Sequence, residues 1–159
     1  MNLATAVLAS LVIGQFEHSI EKIVALAVLM PIVASMGGNA GTQTVTVAVR
    51  ALATGQLTAA NALRFIGKEI AVGGLNGMIF ALLMGAAVVL WYHDWRLGAV
   101  IGAAMICNLV AAALAGTLIP LGLQKFGVDP AVSSTVFLTT VTDVIGFLAF
   151  LGLATLFLL

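Results

Sequence analysis

A single acidic residue, Asp143, lies in the middle of the last apolar stretch of the chain. It shares one face at helical spacing with small and polar residues, namely Thr135, Thr139, Thr142 and Gly146. An ionisable group at the centre of a bilayer costs at least about 2.5–3.5 kcal/mol, so such a residue usually faces a pore, a partner or an ion. We therefore expect the functional site at Asp143. The alternative is a structural carboxyl that is protonated or hydrogen-bonded inside the protein.

A second polar face lies within residues 23–49. Its members follow the spacing of one side of a helix and are Asn39, Thr42, Gln43, Thr46 and Arg50. Pro31 and the glycines of residues 37–41 interrupt the same segment, which predicts a kink or an unwound turn. Backbone groups freed at membrane depth are tolerated where they line a water-filled cavity, so we interpret this face as cavity-lining. Hydrogen bonding between helices is the alternative.

The composition indicates an integral membrane protein. Of 159 residues, 62% are hydrophobic and 8% are charged, whereas a soluble domain averages about 25% charged and about 45–50% apolar residues. The formal net charge is zero, which argues against a nucleic-acid partner because such proteins carry a basic surface. Cys107 is the only cysteine, so neither a disulfide nor a thiolate metal cluster can form within one chain.

Clusters of charged residues divide the chain into five apolar segments, which we expect to be transmembrane helices of an all-α protein. The segments cover residues 2–16, 23–49, 70–91, 97–123 and 131–159. A spanning helix needs about 20 apolar residues, so the first segment is short. We expect residues 1–159 to be a transmembrane domain whose upstream sequence is missing; a naturally short first helix is the alternative. Asp129, with Pro130 in the first turn, is the predicted N-cap of the last helix.

The distribution of basic residues predicts the orientation in the membrane. Loops on the side of the N-terminus hold Arg50, Arg64, Lys68 and Lys125, and loops on the other side hold Lys22 and Arg96. The positive-inside rule therefore predicts a multi-pass protein of the cell membrane with a cytoplasmic N-terminus and an external C-terminus. Two amides within the spans, Asn76 and Asn108, are expected to cross-link helices.

Two sequence motifs resemble the MgtE family of magnesium channels. The first is GGNAGTQT at residues 37–44, in the second predicted span. The second is TTVTDVIGF at residues 139–147, in the last span, preceded by Asp129, Pro130 and Ala131. The resemblance covers essentially all five predicted spans, and both motifs occur in the matching helices and in the same order.

The resemblance implies a homodimer with five transmembrane helices per protomer and a pore lined by the second and fifth helices. In that family the aspartate matching Asp143 binds Mg²⁺ with help from the backbone one turn earlier, here at Thr139. The aspartate matching Asp129 belongs to a secondary magnesium site at the cytoplasmic mouth. The expected pore-lining residues are Asn39, Thr42, Gln43, Thr46, Thr135, Thr142 and Gly146. The family often has Ser-Gly-Pro where this chain has Ser134-Thr135-Val136, so we expect a straighter entry to the last helix.

These expectations describe a pore that moves hydrated Mg²⁺ across the lipid bilayer down its electrochemical gradient, with paired Asp143 carboxylates as the selective element. Mg²⁺ is then the transported ion. The family's cytoplasmic domains that sense internal magnesium have no counterpart in residues 1–159. Two other functions remain open: a proton- or sodium-coupled secondary transporter with Asp143 as the coupling site, and a membrane subunit that does not transport. An enzyme is not indicated, because no catalytic pair or metal-ligand cluster occurs within the spans.

Overall fold

The computed structural model describes residues 2–159, except for the side chains of Asn2 and Ser133, and in this part the chain forms six helices and no strand. The helices are α1 (Asn2–Gly14), α2 (Glu17–Lys22), α3 (Ala25–Ala53), α4 (Ala62–Tyr92), α5 (Trp95–Lys125) and α6 (Pro130–Leu158). The all-α prediction is confirmed. Four of the helices, α3 to α6, are long and apolar enough to cross a membrane, whereas α1 is a shorter apolar helix of 13 residues.

Helices α3, α4 and α5 extend beyond their predicted apolar segments at one end or at both ends. The clearest case is α4, which begins at Ala62 although the apolar segment was predicted to start at residue 70. Arg64 and Lys68 are exposed in its first turns, and long basic side chains favour helix while their charged ends stay in water. The short helix α2 was not predicted; Glu17 in its first turn and Lys22 in its last turn complement the helix dipole.

Helix α3 is continuous from Ala25 to Ala53, so the predicted unwound turn is wrong. Its glycines serve close packing instead. A Cβ atom at Gly41 would lie 2.7 Å from the Leu138 side chain of α6, and one at Gly37 would overlap the carboxamide of Asn108 on α5. Glycine at these positions lets the α3 backbone approach both neighbouring helices, which explains the glycine-rich sequence without a break in the helix.

Helix α5 is the central helix of the bundle and packs against α3, α4 and α6. Glycines bring its backbone directly onto its neighbours. A Cβ atom at Gly98 would lie 2.8 Å from the carbonyl oxygen of Gly85 on α4, and one at Gly116 would lie 3.0 Å from the carbonyl oxygen of Gly41 on α3. Such contacts between small residues are typical of helix packing in membranes.

Helices α3 and α6 pack side by side in opposite directions. Gly41 of α3 faces Leu138 of α6, whereas the earlier Gly38 faces the later Thr142. The C-terminal end of α3 therefore lies beside the N-terminal end of α6. Two apolar clusters hold α3, α5 and α6 together at different depths, one around Leu26, Ile101 and Phe150 and the other formed by Val45, Ala115 and Leu138.

We predict that Gly98→Ala lowers the thermal stability of the bundle, although alanine favours helix more than glycine does. The new methyl group would press on the Gly85 carbonyl oxygen. Overpacking costs about 1–3 kcal/mol, which exceeds a propensity gain of about 1 kcal/mol. The measurement is the melting temperature of the purified protein in detergent, followed by tryptophan fluorescence.

Gly67→Ala is the matched control for this change. Gly67 also lies in a long helix, α4, but it is exposed and no atom lies within 4 Å of its Cβ position. The melting temperature of the Gly67→Ala variant should equal or exceed that of the native protein. If Gly98→Ala were as stable as the native protein, the direct backbone contact between α4 and α5 would be contradicted.

Candidate functional site

Asp143 lies in the middle of α6 and is partly buried. Within residues 2–159 the structure gives its carboxylate no hydrogen bond and no ion pair. A hydrogen-bonded structural carboxyl, the alternative drawn from the sequence, therefore finds no support among these residues. A charged group at this depth is compatible with a bilayer only if water, an ion or a second protein chain faces it.

The polar face of α3 reaches the surface of the chain. Asn39, Thr42, Gln43 and Thr46 are all exposed. The opposite side of α3 is buried against α5 and α6. The predicted helical face is thus confirmed as a polar stripe on the outside of a single chain, which we call the α3 stripe.

The α3 stripe and Asp143 flank one contact between α3 and α6. At this contact a Cβ atom on Gly38 would lie 3.9 Å from Oγ1 of Thr142. Asp143 directly follows Thr142 in the sequence, and Thr42 lies one helical turn after Gly38. Both residues are therefore within one turn of the place where the two helices touch.

Two of the predicted pore-lining residues do not reach the surface of the chain. Thr142 is fully buried, and its hydroxyl donates to the carbonyl oxygens of Leu138 and Thr139, each at 3.2 Å. Gly146 is buried against Asn108. The other members of the α6 face are accessible, since Thr135 is exposed and Thr139 is partly buried like Asp143. The predicted α6 face thus includes both buried and accessible positions. Thr142 and Gly146 lie on the buried side, so they cannot line a pore along the open side of α6.

Three accessible threonines of the two faces donate hydrogen bonds from their hydroxyls to carbonyls of their own helices. Thr42 donates to the carbonyl of Gly38 and Thr46 to that of Thr42, both at 2.8 Å. Thr139 donates to the carbonyl of Thr135 at 3.1 Å. A hydroxyl has one proton and two lone pairs, so these oxygens present only acceptors to their surroundings. A row of acceptors suits the outward-pointing hydrogen atoms of the water around a cation.

Asp129 forms a separate site at the start of α6. Its Oδ1 accepts the backbone N–H of Ala131 at 2.9 Å, and Pro130 occupies the first helical turn, which confirms the predicted N-cap. The carboxylate is exposed. Asp129 and Asp143 are about 21 Å apart along the helix axis, from a rise of about 1.5 Å per residue. The structure therefore does not bring the two predicted magnesium-binding aspartates together.

In the described part of the chain, no three His, Cys, Asp or Glu side chains lie close enough to hold a metal ion. Asp143 is one carboxylate per chain, and Mg²⁺ is usually held by one or two carboxylates while it keeps several of its waters. A site with two carboxylates at this position requires a second copy of the chain.

Asn108 is a residue of this region that the sequence analysis did not assign to the site. It is fully buried on α5, and its Nδ2 donates to the carbonyl oxygen of Val33 on α3 at 2.8 Å. The cross-link predicted for Asn108 is confirmed, whereas Asn76 makes no hydrogen bond to another helix among the described residues. Asn108 lies beside Gly146, one turn from Asp143, because of the way α3, α5 and α6 pack. The sequence contains only an indirect signal for this position, namely the glycines of α3 and α6 that leave space for the amide.

The sequence matches the family model MgtE, described as a divalent cation transporter, over residues 30–153. The chain belongs to the MgtE family. Its relatives include the "Magnesium transporter MgtE" of Enterococcus faecalis, which is 38% identical over 146 residues, covering 92% of this chain and 32% of the relative. The proteins of the same name from Bacillus subtilis and Thermus thermophilus are 33% identical over 147 residues and 35% identical over 154 residues. These two alignments cover 92% and 97% of this chain, and 33% and 34% of the respective relatives. The chain thus spans about a third of each of these MgtE relatives.

We predict that Asp129→Ala destabilises this MgtE-family chain, whereas Asp129→Asn largely preserves its stability. Alanine removes the acceptor for the Ala131 N–H, and losing an N-cap costs about 1 kcal/mol. Asparagine keeps an acceptor of similar shape and removes only the charge. Thermal unfolding of both variants without added divalent ions is the measurement. An equal loss in the two variants would show that the charge matters more than the cap.

Proposed function

We propose that this MgtE-family chain forms the pore of a magnesium channel, in which hydrated Mg²⁺ moves down its electrochemical gradient between two copies of the chain. The observation that carries this proposal is the carboxylate of Asp143. It is partly buried, has no partner among residues 2–159, and lies within one turn of a contact next to the α3 stripe.

A second copy of the chain follows from the cost of polar surface in lipid. In a single chain the α3 stripe and the open side of α6 would face hydrocarbon, where hydroxyl and amide groups lose their hydrogen bonds to water. A homodimer with a twofold axis along these faces covers both of them and brings two Asp143 carboxylates to the axis. The proposed pore-lining residues are Asn39, Thr42, Gln43 and Thr46 of α3 with Thr135, Thr139 and Asp143 of α6.

Paired carboxylates favour a divalent ion over a monovalent one. Two such groups facing each other repel when the site is empty, and a cation between them relieves the repulsion. At about 5 Å and an effective dielectric constant of about 20, each carboxylate attracts a 2+ charge by about 7 kcal/mol and a 1+ charge by about 3 kcal/mol. These are gross Coulomb energies before desolvation, and their difference gives the direction of the selectivity.

The polar neighbours of Asp143 suit an ion that keeps its water. Mg²⁺ gives up its waters reluctantly and is usually bound with several of them in place. The hydroxyls of Thr42, Thr46 and Thr139 already donate hydrogen bonds to backbone carbonyls, and their oxygens can accept hydrogen bonds from these waters. We infer that the pore walls bind the hydration shell and that the Thr139 backbone acts through a water molecule.

The proposed orientation places Asp129 at the cytoplasmic mouth. The C-terminal end of α3 and the N-terminal end of α6 lie at the same end of the bundle, together with Arg50, Lys125 and Asp129. This end carries the excess of basic residues that predicts the cytoplasmic side. Asp129 is exposed there and about 21 Å from Asp143, so we propose it for an independent secondary magnesium site, with the C-terminus of the chain outside.

A proton- or sodium-coupled transporter is the second candidate, because a carboxylate without a partner can also serve as a coupling site. The two functions differ in their driving force. In a channel, dissipating the proton and sodium gradients at fixed membrane potential leaves Mg²⁺ uptake unchanged. If Mg²⁺ uptake into proteoliposomes is lost when these gradients are dissipated, the coupled transporter is favoured.

We predict that Asp143→Ala abolishes Mg²⁺ uptake while the protein still assembles, since its carboxylate makes no hydrogen bond or ion pair within the described part of the chain. Uptake is measured with a magnesium-sensitive dye inside proteoliposomes, and assembly by size-exclusion chromatography. Normal uptake by this variant would rule out the proposed pore.

Asp143→Asn tests the electrostatic basis of selectivity separately from shape. The variant should keep the side-chain volume but lose most of its preference for Mg²⁺ over Na⁺, because the amide carries no charge. Asp94→Asn is the matched control: Asp94 caps the N-terminus of α5 at the opposite end of the bundle, and asparagine also serves well as an N-cap. An unchanged ratio of Mg²⁺ to Na⁺ permeability in Asp143→Asn would contradict selection by charge.

A further inference from the structure

One buried side chain on the central helix contacts both helices of the proposed pore. The carboxamide of Asn108 donates from Nδ2 to the carbonyl oxygen of Val33 on α3 at 2.8 Å. On its other side, the same Nδ2 atom would lie 2.7 Å from a Cβ atom placed on Gly146 of α6. The carboxamide therefore contacts the backbones of α3 and α6 at the same time.

Glycines on both sides provide the space for this carboxamide. A Cβ atom on Gly37 would overlap Nδ2, and the Cβ position of Gly146 is also 3.5 Å from Cα of Ala34 on α3. At this level, then, the backbones of α3 and α6 approach each other directly, and the Asn108 amide group contacts both of them from the α5 side. A larger group at either glycine, or a smaller one at residue 108, changes how the two helices pack at this junction.

The contact lies at the depth of the proposed ion site. Gly146 is one helical turn after Asp143, about 4.5 Å along the axis of α6. On α3, Gly37 directly precedes Gly38, which faces Thr142. Asn108 is thus placed behind the pore helices, on their buried side, within one turn of the carboxylate.

Stability alone does not explain an amide at this position. Oδ1 of Asn108 is buried and has no hydrogen-bond partner among residues 2–159. A buried carbonyl without a partner destabilises a fold, and an apolar side chain would avoid that cost.

We propose that Asn108 is a positioning residue for magnesium transport, in that its carboxamide, held between α5 and the α3–α6 junction, fixes the position of α3 relative to α6 near Asp143. This inference rests on the pore function proposed above. Residues that orient the groups around a metal commonly change affinity or activity about 10–100-fold when they are mutated, although they never touch the ion.

Three variants test the proposal, each purified and reconstituted into proteoliposomes. Asn108→Ala leaves a gap between the helices, and Gly37→Ala pushes a methyl group onto the amide. Each should raise the half-saturating Mg²⁺ concentration at least about tenfold. In the double variant Gly37→Ala with Asn108→Ala, the new methyl group occupies the space of the lost amide. We expect it to bring the half-saturating concentration back toward the native value.

Asn76→Ala is the matched control, because it removes the same side chain from α4, whose packing partner is α5. This control should leave the half-saturating concentration unchanged. If Asn108→Ala alone fails to accumulate, the double variant and Asn108→Ser decide the matter. An unchanged half-saturating concentration in the folded residue-108 variants, or a double variant no better than the worse single one, would overturn the positioning role.

The outcome also separates this inference from the pore proposal on which it rests. If Asp143→Asn loses its divalent preference while the Asn108 variants bind Mg²⁺ normally, the pore stands and the positioning role falls. If Asp143→Asn transports normally, the pore proposal itself falls, and any effect of Asn108 is then an effect on the fold.

Discussion

At several points along α5, glycines remove the side chains that would separate its backbone from those of neighbouring helices. Gly98 brings α4 close, and Gly116 does the same for α3. Helices in a bilayer gain little hydrophobic energy from association, because lipid tails are as apolar as leucine. Dispersion contacts and a few buried hydrogen bonds must therefore hold them, and both depend steeply on distance. The position of α3 relative to α6, and with it the candidate site, depends on this close fit.

Much of the fold was accessible from the sequence because lipid imposes simple rules. The long apolar segments became α3 to α6, and the polar spacing in residues 39–46 became an exposed helical face. The glycines of α3 were misread as a break. In a sequence, glycine is equally consistent with a bend and with a close contact, and only the facing side chains decide between them. Here the facing residues are Leu138 and Asn108, which lie far away in the sequence.

The candidate site was predictable in its chemistry and less so in its geometry. A lone carboxylate in an apolar segment indicates a function, because placing its charge in a bilayer costs free energy. Asp143 was predictable on this ground. A helical face is about a quarter of a turn wide, however, and such a face can include both packed and open positions. That is why Thr142 and Gly146 proved to be buried while Thr135, on the same face, is exposed. The α4 boundary was missed for a related reason, since hydropathy locates the apolar middle of a helix and not its charged ends.

The threonine hydroxyls have one more consequence. A proton relay needs groups that can take up a proton on one side and release another on the other side. The hydroxyl groups of Thr42, Thr46 and Thr139 donate hydrogen bonds to backbone carbonyls of their own helices, so each would have to break that bond before it could pass a proton on. The threonine hydroxyls along α3 and α6 are therefore poorly suited to form a proton relay of their own.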